Sequence, residues 1–275
     1  MSQIINQLKI FKRLFIHKKR YFLKNQSILR ESCNQNKSLF FGIYLTYKFF
    51  ITELQLIGPK NKTAKQRNYY TKPSSDLKIA NRFDEKYRFI FMDVFVDNLN
   101  TWNYFFTKNN LSNKVQSYLE IGCFEGMSSI FSLSKLENAN CHFVDPFIPY
   151  DEMTNAAGIN KFDEIFKNFK HNISFFGDRA TLHRETSDVF FSKNTKNFDL
   201  VYIDGSHFGD DVYRDSVNAF KVLNKKGYII FDDFFWIHFD TLQENPIGGI
   251  VKFLIENKSQ IKIIYLSDQL FIQKK

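Results

Sequence analysis

The sequence predicts an α/β fold built on a mostly parallel sheet with helices on both faces. Three observations predict it. From about residue 117, short apolar runs of strand length alternate with stretches of helical spacing. The first run, Tyr118-Leu119-Glu120-Ile121, passes into Gly122-Cys123-Phe124-Glu125-Gly126, a glycine turn ahead of a helix. Three later runs end in carboxylates, at Asp145, at Asp204 and at Asp232-Asp233. Alternating strands and helices imply parallel strands. Right-handed crossovers bring the strand C-termini to one rim, where a nucleotide-like ligand and a cation can be held.

The elements follow in order. Residues 3–24 place Ile4, Leu8, Phe11, Phe15 and Phe22 at roughly helical spacing among Lys9, Lys12, Arg13, Lys18, Lys19 and Arg20. Two readings stand: a basic amphipathic helix on a membrane surface, or a helix packed on its own domain. The apolar run from Ser38 to Tyr47 is ten residues long, short of the ~20 that span a bilayer. Residues 58–80 are polar and broken by turn residues, which predicts a linker. Helices over 84–108 lead into the core. There the expected order is a strand at 117–121, a helix at 126–136, a strand at 141–145 and a helix at 160–170. A strand at 180–184, a helix at 187–192, a strand at 199–203 and a helix at 209–223 come next. The chain closes with a strand at 228–231, a helix at 248–257 and two strands, 260–266 and 269–273, joined by Ser267-Asp268. The expected division is a basic extension and linker over 1–83 and one α/β domain over 84–275.

Charge is unevenly placed. Residues 1–72 carry 15 Lys and Arg against Glu31 and Glu53, hence +13, while the remainder carries 23 basic and 27 acidic residues. Such an arm suits anionic lipid or nucleic acid, or is a solvated leader. The 33 Phe weaken any argument from an isolated aromatic cluster. Three cysteines, 33, 123 and 141, lack metal spacing and point to a reducing, cytoplasmic compartment. A secretory signal is not expected.

The turn has the spacing Glu-x-Gly-x-x-x-Gly, not the Gly-x-Gly-x-x-Gly of dinucleotide enzymes. Gly122 permits a sharp turn and Gly126 a close helix approach. Asp145, 19 residues beyond Gly126, is placed to accept ribose hydroxyls; a helix cap is the other reading.

These residues resemble the class I S-adenosylmethionine-dependent methyltransferases over roughly residues 90–275, and most closely the methyltransferase domain family 24 group. The likeness lies in the glycine turn, Asp145, Ile203-Asp204-Gly205-Ser206-His207, Asp232-Asp233, Pro246-Ile247-Gly248-Gly249-Ile250 and the final hairpin. It implies a Rossmann-like, seven-stranded, mostly parallel sheet with a C-terminal antiparallel hairpin, and S-adenosylmethionine as cofactor. By this resemblance Glu120, Gly122 and Gly126 line the methionine and ribose end, Asp145 binds the ribose, and Thr186 and Ser187 lie near the adenine.

Asp204, Asp232 and Asp233 share a rim and repel one another unless a cation joins them. Oxygen ligands favour Mg²⁺ or Ca²⁺, and the set resembles the magnesium site of macrocin-type sugar O-methyltransferases. The alternative is that one Asp caps a helix and another holds the cofactor's amino group. Macrocin-type enzymes read Asp-Gly-Asp where this chain has Asp204-Gly205-Ser206. His207 follows and is the candidate general base; substrate binding or helix capping are its other readings. Phe234, Phe235, Trp236, His238 and Phe239 either wall an acceptor pocket or pack in the core. Asp210, Asp211 and Asp215 are expected to complement a helix dipole.

The expected activity is S-adenosylmethionine-dependent O-methylation of a small molecule or a glycan or sugar precursor, with Asp204 and His207 in the chemistry and Mg²⁺ at the aspartates. An anionic membrane surface is the expected partner of residues 1–30, on the cytoplasmic side. Nucleic-acid methylation is the alternative; it is disfavoured because Asn/Asp-Pro-Pro-Tyr/Phe is missing after the fourth strand. A non-catalytic, cofactor-binding member is a further alternative. The sequence carries no signal for oligomeric state.

Overall fold

The strands are β1 Ser117–Ile121, β2 Asn140–Val144, β3 Ala180–His183, β4 Phe198–Ile203, β5 Leu223–Phe231, β6 Ile261–Leu266 and β7 Leu270–Lys274. They form one sheet in the order β3-β2-β1-β4-β5-β7-β6. β1 to β5 pair in parallel, and β7 runs antiparallel to both β5 and β6. This is the Rossmann-like, seven-stranded, mostly parallel sheet with a reversed C-terminal hairpin that the sequence predicts. The computed structural model describes residues 23–36, 38–57, 86–90, 95–149 and 161–275. The expected helix over 3–24, up to residue 22, and the expected 58–80 linker lie outside the described residues.

The apolar runs form strands because both faces of each one are covered. Leu119, Ile121, Val201, Ile203, Ile229 and Phe231 point to one layer. Tyr118, Cys141, Phe143, Leu200, Tyr202 and Ile230 point to the other. The period of two sorts them. Helices α1 (residues 23–35) and α2 (Leu39–Ile57), with α7 (Ser187–Lys193), α8 (Gly209–Val222) and α9 (Pro246–Glu256), cover the first face. Helices α3 (Phe95–Asn109), α4 (Leu111–Lys114), α5 (Met127–Lys135) and α6 (Phe162–Ser174) cover the second. Pro246 begins α9 at a position where its missing N–H is harmless.

The described part of the 1–83 extension lies on the sheet. Leu29 and Cys33 of α1 and Leu45 and Phe49 of α2 are fully buried in the first layer. Burying a Leu or Phe side chain stabilises by about 1.5–3 kcal/mol. The ten-residue apolar run belongs to a 19-residue helix, α2. No helix among the described residues is long and apolar enough to cross a membrane.

The expectation of helices from residue 84 is corrected by the structure. Residues 87–89 are irregular, and α3 begins at Phe95. Side chains take the backbone groups that a helix would use. Asn172 accepts from Arg88 N at 2.7 Å and donates to its carbonyl at 2.8 Å. Glu125 accepts from Ile90 N at 2.8 Å. β5 also starts earlier than expected, because Leu223 already pairs with Phe198 ahead of an irregularity in the ladder.

The rim opposite the strand C-termini is tied by Asp199. Its Oδ2 accepts from Gln116 N at 2.9 Å and from Ser117 N and Oγ at 3.1 Å, and its Oδ1 accepts from Asn224 Nδ2 at 2.7 Å.

Candidate active site

The strand order reverses between β1 and β4, and a crevice opens beyond the C-termini of such strands. A cavity of about 710 Å³ lies there, lined by the ends of β1, β2, β4 and β5 and by α3, α6, α7 and α8. The size falls within the range of small-molecule sites. Three acids on the rim sit one residue past their strands with their N–H groups still in the ladder. Asp145 N donates to His183 O, Asp204 N to Ile121 O and Asp232 N to Ile203 O. The sheet therefore fixes where these carboxylates begin.

The glycine turn is built against β4. Gly122 has φ +82, and a Cβ there would lie 2.0 Å from the Asp204 carbonyl oxygen. Only glycine fits that approach. The turn is stapled by Asp145: Oδ2 accepts from Cys123 N at 2.9 Å and Phe124 N at 3.1 Å, and Oδ1 accepts from Phe147 N at 2.7 Å. Burial pushes the Asp145 carboxyl up from its ordinary value, and these three N–H groups oppose it. A carboxylate has about four acceptor directions, so about one remains for a ligand hydroxyl. Phe124, Phe147 and Asp233 all line the cavity and all have positive φ, at +48, +51 and +51. Strained backbone of this kind gathers at ligand sites.

Not every expected cofactor residue reaches the cavity. Glu120 is fully buried on the α5 side, where it accepts from Tyr118 Oη at 2.8 Å, Ser128 Oγ at 2.6 Å and Ser129 Oγ at 2.9 Å. It anchors the start of α5 and is not on the cavity wall. Gly126 faces α6: a Cβ there would meet Phe169 Cδ2 at 2.9 Å. Gly122, Asp145, Thr186 and Ser187 do line the cavity. Thr186 also caps α7, its side chain accepting from Val189 N.

At that end Arg214 donates from Nε to both oxygens of Asp188 at 3.1 Å and from an Nη to Asp211 at 2.6 Å. Asp211 also accepts from Ser206 Oγ at 2.8 Å. Asp215 is buried, and its carboxyl is pushed up to about 7 by that burial, opposed by a hydrogen bond from Ser187. Asp211 and Asp215 thus belong to the cavity wall besides standing near the start of α8.

The acidic end is crowded. Tyr202 Oη lies 2.8 Å from Asp204 Oδ2 and also contacts Asp232 Oδ2. One hydroxyl proton cannot serve two carboxylates, so the set needs a further proton or a cation. Burial, then the charges of Asp232 and Asp233, push Asp204 well above the usual carboxylate range. Burial, then Asp233, raise Asp232 to about 6. Both oxygens of Asp232 are engaged: Oδ1 accepts from Asp233 N at 2.8 Å, and Oδ2 faces Tyr202 and Asn98.

His207 Nε2 lies 2.7 Å from Asp233 Oδ2, and the His207 ring rests against Trp236 at a centroid distance of 4.7 Å. Candidate ligand atoms of Asp204, His207 and Asp233 lie within 4.8 Å of one another. Among the described residues this trio converges, with Asp232 beside it, whereas the expected ligand set was the three aspartates. Two carboxylates and an imidazole fit a divalent cation, and they suit transition metals as well as Mg²⁺. Phe234 is core and Phe235 packs edge-on against Phe49 at 5.2 Å.

Residues 119–234 match the family model described as a methyltransferase domain. The match is to the methyltransferase domain family that the sequence resembles, over less than half of the chain. An uncharacterized protein of Acanthamoeba polyphaga mimivirus is 30% identical over 138 residues, covering 48% of this chain. The chain spans 59% of the length of that curated relative. Among solved structures the chain is similar to an O-methyltransferase from Bacillus cereus in complex with S-adenosylhomocysteine. That likeness has 12% identity, covers 84% of this chain and 100% of the other, and has a TM-score of 0.47. It is also similar to an S-adenosylhomocysteine-bound methyltransferase of Podospora anserina, at 16% identity, 75% and 97% coverage and a TM-score of 0.48.

Proposed function

We propose that this chain is an S-adenosylmethionine-dependent methyltransferase that acts on a hydroxyl oxygen of a small molecule or of a glycan or sugar precursor. The observation that carries the reading is one rim on which the Gly122 turn, stapled by Asp145, faces a His207–Asp233 pair. The spare acceptor direction on Asp145, beside Gly122 on the cavity wall, fits the ribose end of the cofactor. When bound, S-adenosylmethionine supplies an electrophilic methyl group.

The chain's own residues do the rest. Asp145, fixed by the amides of the turn, orients one ligand, and Thr186, Ser187 and Asp215 close the far end of the cavity. Asp233 pairs with Nε2 of His207 and orients the imidazole. The imidazole takes the acceptor hydroxyl proton, a contribution typically worth about 10²–10⁴-fold. In the alternative arrangement a divalent cation would be held by Asp204, Asp233 and a ring nitrogen of His207, and would itself hold the acceptor oxygen and ease its deprotonation in place of the imidazole base.

Titration of the full chain with S-adenosylhomocysteine, with and without Mg²⁺, tests this beside Asp145→Ala. Micromolar affinity in the wild type, lost by at least tenfold in the variant, supports the reading. A folded wild type that does not bind removes it.

The same reading places the protein on the cytoplasmic side, against an anionic membrane surface. Phe40, Ile43, Tyr44 and Tyr47 are exposed along one side of α2, and residues 1–72 carry +13. An apolar face joined to a basic segment is a two-signal membrane contact. Co-sedimentation with phosphatidylserine vesicles but not with phosphatidylcholine vesicles, weakened by Phe40→Ser with Tyr47→Ser, is the expected result. Equal behaviour of variant and wild type would sink this placement.

A further inference from the structure

We infer that Glu125 is a positioning residue: it docks residues 86–90 onto the glycine turn, and through them sets the start of α3 as the wall shared by the cofactor and acceptor halves of the cavity. Glu125 is fully buried, yet it carries no role in the chemistry above. Its two oxygens accept from Ile90 N at 2.8 and 3.0 Å, and Oε1 also accepts from Asn168 Nδ2 at 2.8 Å. A buried carboxylate held by N–H donors fixes what donates to it, because leaving either side unpaired is costly.

The tether is reinforced from α6. Asn172 Nδ2 donates to the Glu125 carbonyl and to the Arg88 carbonyl, both at 2.8 Å, while its Oδ1 accepts from Arg88 N at 2.7 Å. His171 Nε2 lies 3.0 Å from the Lys86 carbonyl. Backbone groups at 86, 88 and 90 are thus all held by side chains of α6 or of the turn.

The turn itself is pinned from two sides. Asp145 takes the N–H groups of Cys123 and Phe124 from within the cavity, and Glu125 takes Ile90 from outside it. Helix α3 begins at Phe95, five positions after Ile90, and Phe95 and Asn98 of its first turn line the cavity. Asn98 Nδ2 stands 3.5 Å from Asp232 Oδ2, at the acidic end, while Phe124, beside Glu125, stands at the cofactor end. One carboxylate therefore links the placement of both ends.

The inference rests on the methyltransferase reading for the identity of the bound ligand, and the test separates the two. The full chain and Glu125→Gln are digested with trypsin, with cleavage after Lys86 and Arg88 followed by mass spectrometry. S-adenosylhomocysteine affinity and Tm are measured on the same samples. Glutamine keeps the size and one acceptor oxygen but loses the charge and sets an NH₂ against Ile90 N–H in place of the second oxygen. The expected result is cleavage after Arg88 at least tenfold faster, and a Kd for S-adenosylhomocysteine raised at least tenfold. Asn168→Ala, which removes one donor to the same carboxylate, should give a smaller shift of both kinds, and it serves if Glu125→Gln fails to fold.

A merely structural role would lower Tm and leave Kd within twofold of the wild type, which would overturn the inference even if Arg88 became accessible. Unchanged cleavage would overturn it too. A wild type that does not bind S-adenosylhomocysteine would instead remove the cofactor reading, and the wall with it, while the proteolysis would still report whether the tether exists.

Discussion

His207 and Asp233 meet at 2.7 Å, Nε2 to Oδ2, across the ends of two adjacent parallel strands. Neither residue lies within its strand: His207 follows β4 by four positions and Asp233 follows β5 by two. Strand pairing brings the chain ends together, and the positive φ of Asp233 turns its carboxylate toward the imidazole.

Asp233→Asn should lower kcat by about 100-fold or more on any hydroxyl acceptor that the enzyme methylates. Asn tolerates the left-handed conformation that Asp233 adopts, so the backbone should keep its course. S-adenosylhomocysteine affinity should stay within about threefold, since Asp233 is not among the residues that cradle the cofactor end. Steady-state kinetics beside calorimetry checks this. Unchanged kcat would remove His207 and Asp233 from the proton transfer.

Gly122→Ala should destabilise the fold by about 3–5 kcal/mol, combining the cost of a left-handed Ala with that of overpacking. The new methyl would sit 2.0 Å from the Asp204 carbonyl oxygen, so β1 and β4 would have to part at the rim. Urea denaturation reads the loss. A change below about 1 kcal/mol would mean that the turn can relax, contrary to the tight ladder around it.

His142 should make stability fall in mild acid. Burial lowers its pKa from 6.5 to about 4, with Lys196 and His183 adding in the same direction. Its Nδ1 lies 2.9 Å from His183 Nε2 and its Nε2 3.3 Å from Lys196 Nζ, while His183 faces Glu185 and Glu185 pairs with Lys193. The unfolded chain takes up a proton below about pH 6.5 that the folded chain refuses until about pH 4. The contribution is therefore present in full above 6.5 and is lost as pH falls through that window. Asp215, raised to about 7, acts with the opposite sign over an overlapping range. The comparison with His142→Gln isolates the histidine: between pH 7 and 5 the wild type should lose about 1–2 kcal/mol more than the variant. Parallel curves would refute it.

Much of the fold was legible in the chain. The strands from 117 to 274 and the helices between them fall within a few residues of where periodicity and turn residues put them, apart from the early start of β5. The signal is strong because parallel strands buried on both faces read as continuous apolar runs. The region before α3 was misread because backbone groups at 88 and 90 are satisfied by Asn172 and Glu125, 84 and 35 residues away in sequence. Local pattern carries no trace of such partners. Tyr202 was legible in principle: it stands two residues before Asp204 on a strand, so both project to one side. Glu125 was read only as part of the turn.

The sequence by itself determined that strand ends would deliver a glycine turn and a row of carboxylates to one rim, since that follows from element order and the handedness of the crossovers. Only the tertiary structure decided what each carboxylate does there. Glu120 and Asp204 both follow Tyr by two residues, yet three hydroxyl groups hold Glu120 beneath α5 while Asp204 reaches the cavity. Asp232 and Asp233 are neighbours, yet one turns to Tyr202 and the other to His207. The reason is physical: a carboxylate's role is set by the donors and charges packed around it, and those arrive from elements far apart in the chain.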